Sequence, residues 1–221
     1  MIYILNLETA TKNCSVSISG DGKTLALKEL SEEQFNHAEK LHVFIVDILS
    51  ELQLSLQDLK AVAVSKGPGS YTGLRIGVSA AKGLCFALDI PLIAVDTLAI
   101  LAGQLHITSG AIVPMIDARR MEVFTQVFNA QKQAISEPYA LIVTEDSLKE
   151  LGDEIHLLGD GASKCKEVLN SSRFVYHDEI KYPSANEMSR LSFEKYMQNN
   201  FADVAYFEPY YLKDFMLTTK K

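Results

Sequence analysis

The sequence predicts an α/β protein made of two related halves, each a mixed sheet flanked by helices. Three observations carry this. Strand-like runs alternate with amphipathic helical runs along the 221 residues. The order strand, strand, strand, helix, strand, helix can be read twice, a repeat of topology rather than of residues. The first strand of each half ends in a carboxylate, Glu8 and Asp117. An antiparallel meander that leads into crossover helices suits a mixed sheet with helices on its faces.

The elements follow in order. "IYILNLE" (2–8) is apolar and β-rich, and "CSVSIS" (14–19) alternates. "GDGK" (20–23) has hairpin chemistry, and "TLALKEL" completes a three-strand meander. Leu41, Phe44, Ile45, Ile48, Leu49 and Leu52 recur at helical spacing, one core-facing stripe. "SLQDL" (55–59) is a Ser-x-x-Asp capping pattern for one short helical turn. "AVAVS" (61–65) is a buried strand, followed by a glycine-rich loop and a helix to about residue 88. "PLIAV" (91–95) is a strand, with a helix over 97–106. The boundary between halves falls near 104–110, giving subdomains 1–105 and 106–221.

The second half opens with "AIVPMID" (111–117) and "MEVFTQVFNA" (121–130) as strands, and "QKQAISE" is expected to pair back. "TEDSLKEL" (144–151) reads as a helix capped by Thr144. "IHLLG" (155–159) is a strand, "GASKCKEVLN" (161–170) a helix and "FVY" a short strand. A last helix over 184–198 opens at Pro183 and Ser184.

Composition narrows the function. With 48% hydrophobic and 22% charged residues the chain should bury a core. A net charge of −7 disfavours broad, basic gripping of nucleic acid. Any concealed basic face would draw on Lys132, Lys164, Lys166 and the pair Lys220 and Lys221. Cys14, Cys85 and Cys165 are odd in number, widely spaced and lack a CxxC, so a disulfide framework or zinc knuckle is not expected. No apolar run approaches a membrane span, and the start lacks a basic n-region and cleavage site. The expectation is a soluble, cytoplasmic protein without membrane contact.

The loop "GPGSYTGLR" fails both common phosphate patterns. It lacks the Gly-Lys-Ser/Thr of a P-loop, and Gly67, Gly69 and Gly73 are one residue too widely spaced for a dinucleotide fingerprint. An anion at the helix start and a tight turn that brings the helix onto the sheet both remain open. Within the helix, Gly73, Gly77 and Ala81 recur every four residues. An interior glycine costs about 1 kcal/mol relative to alanine, so a close neighbour should offset it. That neighbour is either the sheet beneath or a helix of another chain.

"ILNLETATKNCSVSI", "NHAEKLH", "GPGSYTGLRIG", "IPLIAVDTL" and "MIDARRMEVF" resemble, in order, the signatures of the TsaB family. "LLGDGA" (157–162) and "YFEPYYLKDF" (206–215) are weaker matches. The family is glycoprotease-like by its old label and serves bacterial synthesis of threonylcarbamoyladenosine on tRNA. The resemblance implies an actin-like, Hsp70-like (RNase H-like) fold of two subdomains. It implies a non-catalytic subunit that binds and activates TsaD, with TsaE as a further partner and tRNA met only through the complex. Two copies of this chain are expected to pair as a homodimer when TsaD is absent, because related surfaces can form a two-fold contact. No cofactor is then expected in the isolated chain, since ATP and metal belong to the partner subunits. His37, Leu41, Gly73, Leu74, Gly77 and Ala81 are the expected partner face, half of a four-helix bundle. Glu8, Thr9 and Asp117 are the residual candidates for contact with a nucleotide. Here the first strand ends Glu8-Thr9-Ala10, where the family usually has Asp-Thr-Ser, a departure that disfavours ATP turnover.

Other chemistry is weakly signalled. His37 and His42, five residues apart, point about 140° apart on a helix and suit solvent or an interface better than a shared metal. His106, His156 and His177 are isolated in sequence, and neither H-E-x-x-H nor G-x-S-x-G occurs. Asp117 with Arg119 and Arg120 reads either as an acid beside phosphate-binding cations or as a charged hairpin turn, and the resemblance favours a turn that Asp117 stabilises. An ATP-dependent phosphotransferase and a peptidase are the rival functions.

Overall fold

The computed structural model describes residues 1–31 and 37–213. Expectations that rest on 32–36 or 214–221, among them the ends of "NHAEKLH" and "YFEPYYLKDF" and the pair Lys220 and Lys221, lie outside these residues. The first sheet holds β1 (Tyr3–Glu8), β2 (Asn13–Gly20), β3 (Lys23–Ser31), β4 (Leu59–Gly67) and β5 (Leu92–Asp96) in the order β3-β2-β1-β4-β5. β1 is antiparallel to β2 and parallel to β4. The second sheet holds β6 (Ala111–Asp117), β7 (Glu122–Thr125), β9 (Tyr139–Ile142), β10 (Ile155–Leu158) and β11 (Phe174–His177), and its order is β11-β10-β6-β7-β9. Two-residue β8 (Phe128–Asn129) also pairs with β6. Mapped strand for strand, the two orders are the same, with β1 and β6 central. The two mixed sheets bear out the fold class.

Four helices complete the layers: α1 (His37–Glu51), α2 (Tyr71–Leu88), α3 (Thr97–Gly103) and α4 (Ala185–Met197). α1 and α2 bury Leu41, Ile45, Ile48, Val78 and Ala81 against Leu5, Leu7, Val62 and Val64 on one face of the first sheet. Ile100 of α3 with Ala185 and Met188 of α4 covers Ile4, Ala63 and Ile93 on the other face. α3 turns Leu98 and Leu101 towards Ile112, Phe128 and Leu158 of the second sheet, so it packs between the sheets.

Local signals behave as their chemistry dictates. Ser55 and Asp58 form the capping box of a one-turn helix, Leu56–Asp58. Ser70 caps α2 by accepting from the Gly73 amide, and Ser184 caps α4 through the Asn186 amide. "QKQAISE" pairs back through an Ala134–Phe128 bridge.

Two expected helices are turns instead. At 144–151 the Ser147 hydroxyl takes the Thr144 amide at 2.9 Å, and Leu148 sits at φ +62°. Short polar side chains compete with helical bonding in this way. At 161–170 a single 3₁₀ turn, Ser163–Cys165, leads into further tight turns. Isolated segments this short are marginal helices.

α4 reaches the first sheet through a polar seam. Ser15, Ser17 and Ser19 of β2 are all fully buried. Ser15 Oγ accepts from the Ala185 amide at 2.9 Å, Ser17 Oγ donates to Ala185 O at 2.7 Å, and Ser192 Oγ donates to Asn6 Oδ1 at 2.7 Å. Without these partners the buried hydroxyls would each cost about 1–3 kcal/mol.

Candidate functional site

Three segments meet at the carboxyl ends of β1 and β4: the 9–12 turn, the glycine loop 67–70 and the start of α2. The Ser70 amide donates to Ala10 O at 2.6 Å, and Thr9 Oγ1 donates to Gly73 O at 2.8 Å. The approach is close enough to require glycine. A Cβ at Gly73 would stand 2.1 Å from Thr9 O, and one at Gly77 2.3 Å from Thr9 Oγ1. Two amides of the loop and helix start are taken within the chain, Gly67 N by Thr97 Oγ1 at 3.1 Å and Gly73 N by Ser70 Oγ at 3.3 Å. The Gly67–Pro68 peptide is cis. These contacts fit the tight-turn reading of the loop.

This geometry places the residues expected at the partner face. His37 is 2% exposed, with Nε2 2.7 Å from Thr11 O, and burial lowers its pKa. Leu41, Leu74 and Ala81 are fully buried, and Gly73 and Gly77 press on the 9–12 turn. The small-residue stripe faces this chain's own first strand because its neighbour is the turn after β1. His37 is therefore not solvated, whereas His42 is exposed.

The opposite faces of the same two helices are open. Val43 and Val46 of α1 are 51% and 65% exposed, and Phe86 of α2 is 84% exposed. Thr72, Ser79 and Gly83 lie on that side of α2, and nothing lies within 4 Å of a Cβ at Gly83.

Glu8 is fully buried beneath the turn. Its Oε1 accepts from the Ala10 amide at 2.7 Å and from Ser65 Oγ at 3.1 Å, while Oε2 has no hydrogen-bond partner. Burial pushes its pKa up to about 7 against these two bonds. Asp117 is exposed and accepts from the Arg119 amide at 2.9 Å and from the Lys164 ammonium, so it stabilises the hairpin. Sequence reasoning missed Asp160, just after β10. Its Oδ1 accepts from the Asp117 amide at 3.0 Å, and burial raises its pKa. The repeat was its available signal, since β10 matches β4 in the first sheet.

A cavity of about 370 Å³ opens between the halves, lined by Lys66, Asp96, Ala99, Gln126, Phe128 and Tyr210 among others. Lys66 and Asp96 are ion-paired at 2.8 Å in its lining. The C-terminal strap closes one wall. The Tyr210 amide donates to Lys66 O at 2.7 Å, and Lys82 Nζ donates to Ala205 O and Phe207 O at 3.1 and 3.0 Å. Tyr211 stacks on Tyr71 and accepts from Arg75 Nε at 3.2 Å, and Lys213 pairs with Glu122 of the second half.

His156 and His177, isolated in sequence, are brought together by adjacent parallel strands, with ring nitrogens 3.0 Å apart. Among the described residues, no group of three or more His, Cys, Asp and Glu is placed to hold a metal. All three cysteines are buried and free, and burial lifts Cys14 and Cys85 to about 11. No helix among the described residues is long and apolar enough to cross a membrane.

A family model described as "TsaD: tRNA N6-adenosine threonylcarbamoyltransferase" matches residues 31–216. The chain is 30% identical to the tRNA threonylcarbamoyladenosine biosynthesis protein TsaB of Escherichia coli, over 96% of its own length and 94% of that protein. It is 31% identical to the Bacillus subtilis TsaB, over 95% and 93% of the two chains. The crystal structure of YeaZ from Pseudomonas aeruginosa superposes with a TM-score of 0.81 at 26% identity, covering 96% of this chain and all of that one. An activator of 2-hydroxyisocaproyl-CoA dehydratase from Clostridium difficile shares the fold alone, at a TM-score of 0.50 and 8% identity over 91% of this chain and 99% of that one.

Proposed function

The chain belongs to the TsaB proteins, within the wider family of the tRNA threonylcarbamoyltransferase TsaD, and so serves tRNA threonylcarbamoyladenosine biosynthesis; from that premise we propose that it is a non-catalytic subunit that binds and activates TsaD. The observation that carries the reading is the outer face of α1 and α2. Val43 and Val46 of α1 and Phe86 of α2 expose apolar side chains, and Gly83 of α2 is open, while the inner faces of both helices are closed. Large apolar side chains exposed on two neighbouring helices are the kind of surface that a partner covers. The matching helix pair of TsaD is the occupant, which forms a four-helix bundle, and a second copy of this chain takes its place when TsaD is absent. TsaE joins the complex, and ATP and metal stay with the partner subunits.

Glu8 supports the non-catalytic part. Its carboxyl oxygen Oε1 is held by the protein's own amide and hydroxyl rather than turned to solvent. Purified chain should hydrolyse ATP far below about 1 per second, a modest enzymatic rate. Turnover at that rate, lost in Glu8→Ala, would promote the phosphotransferase reading instead.

The test is reconstitution with TsaD, TsaE, ATP, threonine, bicarbonate and the carbamoyl-adenylate synthase. Modified tRNA should form only when this chain is present. The double variant Val46→Glu, Phe86→Glu should keep its unfolding temperature and weaken TsaD association by roughly 30-fold or more, as loss of a central anchor does. Modification without the chain would end the activation claim. Unchanged association of the double variant would remove the interface from this face.

A further inference from the structure

The hairpin between β6 and β7 holds a backbone conformation that bulky residues disfavour. Arg119 and Arg120 sit at φ +69° and +51°, the left-handed region, where their Cβ atoms crowd the backbone. An Asn-Gly pair would take such a turn without that strain. The hairpin is closed without the guanidinium groups. Ala118 N donates to Glu122 O at 3.1 Å, Glu122 N to Arg119 O at 3.3 Å, and Arg119 N to Asp117 Oδ1 at 2.9 Å. Both arginines are exposed, and among the described residues neither guanidinium has a hydrogen-bond or ion-pair partner. Strain held by side chains that do not support the fold points to use elsewhere.

The surroundings show what use. Lys164 pairs with Asp117 and donates to Glu122 O at 2.7 Å. Lys213 of the strap pairs with Glu122. Lys12, in the turn after β1, lies near enough to Asp160 to oppose in part the burial that raises its pKa, and Asp160 itself accepts from the Asp117 amide. Five cations from four segments thus surround three acids, on a chain whose net charge is −7. Each acid already has a cation beside it, which leaves the two arginines as the uncommitted charges.

We propose that the Arg119–Arg120 tip contacts RNA phosphates and holds part of the tRNA backbone in the assembled complex. This rests on the function proposed above. Planar guanidinium groups donate paired hydrogen bonds to phosphate oxygens. Cations spread over separate turns match a row of phosphodiesters. A free nucleotide would need an enclosing wall, and this tip is exposed. A protein partner would need an apolar centre, and among these residues only Met121, 36% exposed, supplies one. Two of the other basic candidates are already engaged elsewhere: Lys132 donates to Gly103 O at 2.6 Å, and Lys166 pairs with Asp178.

The test is a salt titration of tRNA binding by the complex of this chain with TsaD. The pair Arg119→Gln, Arg120→Gln should weaken binding about tenfold at low salt and flatten the slope of log K against log salt by roughly 1 to 2. Arg119→Lys, Arg120→Lys should keep the slope. Arg119→Asn, Arg120→Gly should lose binding like the Gln pair while the unfolding temperature rises by roughly 2–4 °C. TsaD association should be unchanged in all three. Wild-type tRNA binding by the Gln pair would overturn the proposal. So would loss of TsaD or TsaE association in its place, which would mark an acidic protein partner. If the wild-type chain does not join TsaD at all, the functional reading fails on its own. The same titration on the isolated chain then decides the tip, with an unchanged slope in the Gln pair overturning it.

Discussion

Gly77 and Gly83 lie in the same helix and face opposite ways. A Cβ at Gly77 would stand 2.3 Å from Thr9 Oγ1 and 3.4 Å from Val64 Cγ2, whereas one at Gly83 meets nothing within 4 Å. In sequence the two glycines are equivalent, each costing about 1 kcal/mol against alanine. In the fold, the first is demanded by this chain's own packing. Nothing among the described residues demands the second. A stripe of small residues therefore announces a close approach without saying whose, and among the described residues the Gly83 position is the open one of the two.

The largest effect should come from breaking the inner face. Gly77→Leu would drive its side chain into Thr9 and Val64, which β1 and β4 hold in place. We expect destabilisation by at least about 3 kcal/mol in chemical denaturation, with loss of TsaD binding only as a consequence of unfolding. A variant that folds normally yet fails to bind would return the stripe to the interface.

The next effect is electrostatic and lies under the same turn. The Glu8 carboxyl has its pKa raised from 4.5 to about 7, so the folded state keeps a proton that the unfolded chain releases. Stability should be greatest below pH 4.5, fall as pH rises towards 7, and level off above it. The whole change is about 3 kcal/mol. Glu8→Gln should remove this contribution, and the difference between the two proteins across pH 5 to 8 isolates it. A wild-type stability that rises over that window relative to the variant would reverse the sign and mean that Glu8 is ionised in the fold.

The smallest effect should come from the outer face. Gly83→Ala should stabilise the isolated chain by about 1 kcal/mol, because its methyl enters open space within a helix. A fall in unfolding temperature would show that this face is packed after all, and the contrast with Gly77 would collapse.

Much of the first half was legible because its signals are local. The apolar period of α1, the Ser70 cap and the Ser55 capping box each act within a few residues. The repeat of strand order was legible too, through the carboxylates of Glu8 and Asp117. The candidate site was less so. The direction of the Gly73–Gly77–Ala81 stripe depends on the turn at Thr9, more than 60 residues away. The pairing of His156 with His177 depends on strand adjacency that spacing does not encode. At 144–151 the Thr144 cap suggested a helix, but Ser147 bonds locally and Leu148 adopts a left-handed backbone. The docking of α4 on the first sheet was invisible because serines, not an apolar stripe, hold much of it.

That serine seam has a consequence for synthesis. The first sheet emerges from the ribosome early, yet Ile4, Ala63 and Ile93 are covered by Ala185 and Met188 near the far end of the chain. Until then the growing polypeptide shows that face, with the hydroxyls of Ser15 and Ser17 still bonded to water. Closure over so long a separation in sequence is slow. Apolar surface left open in this way is of the kind that chaperones are suited to shield.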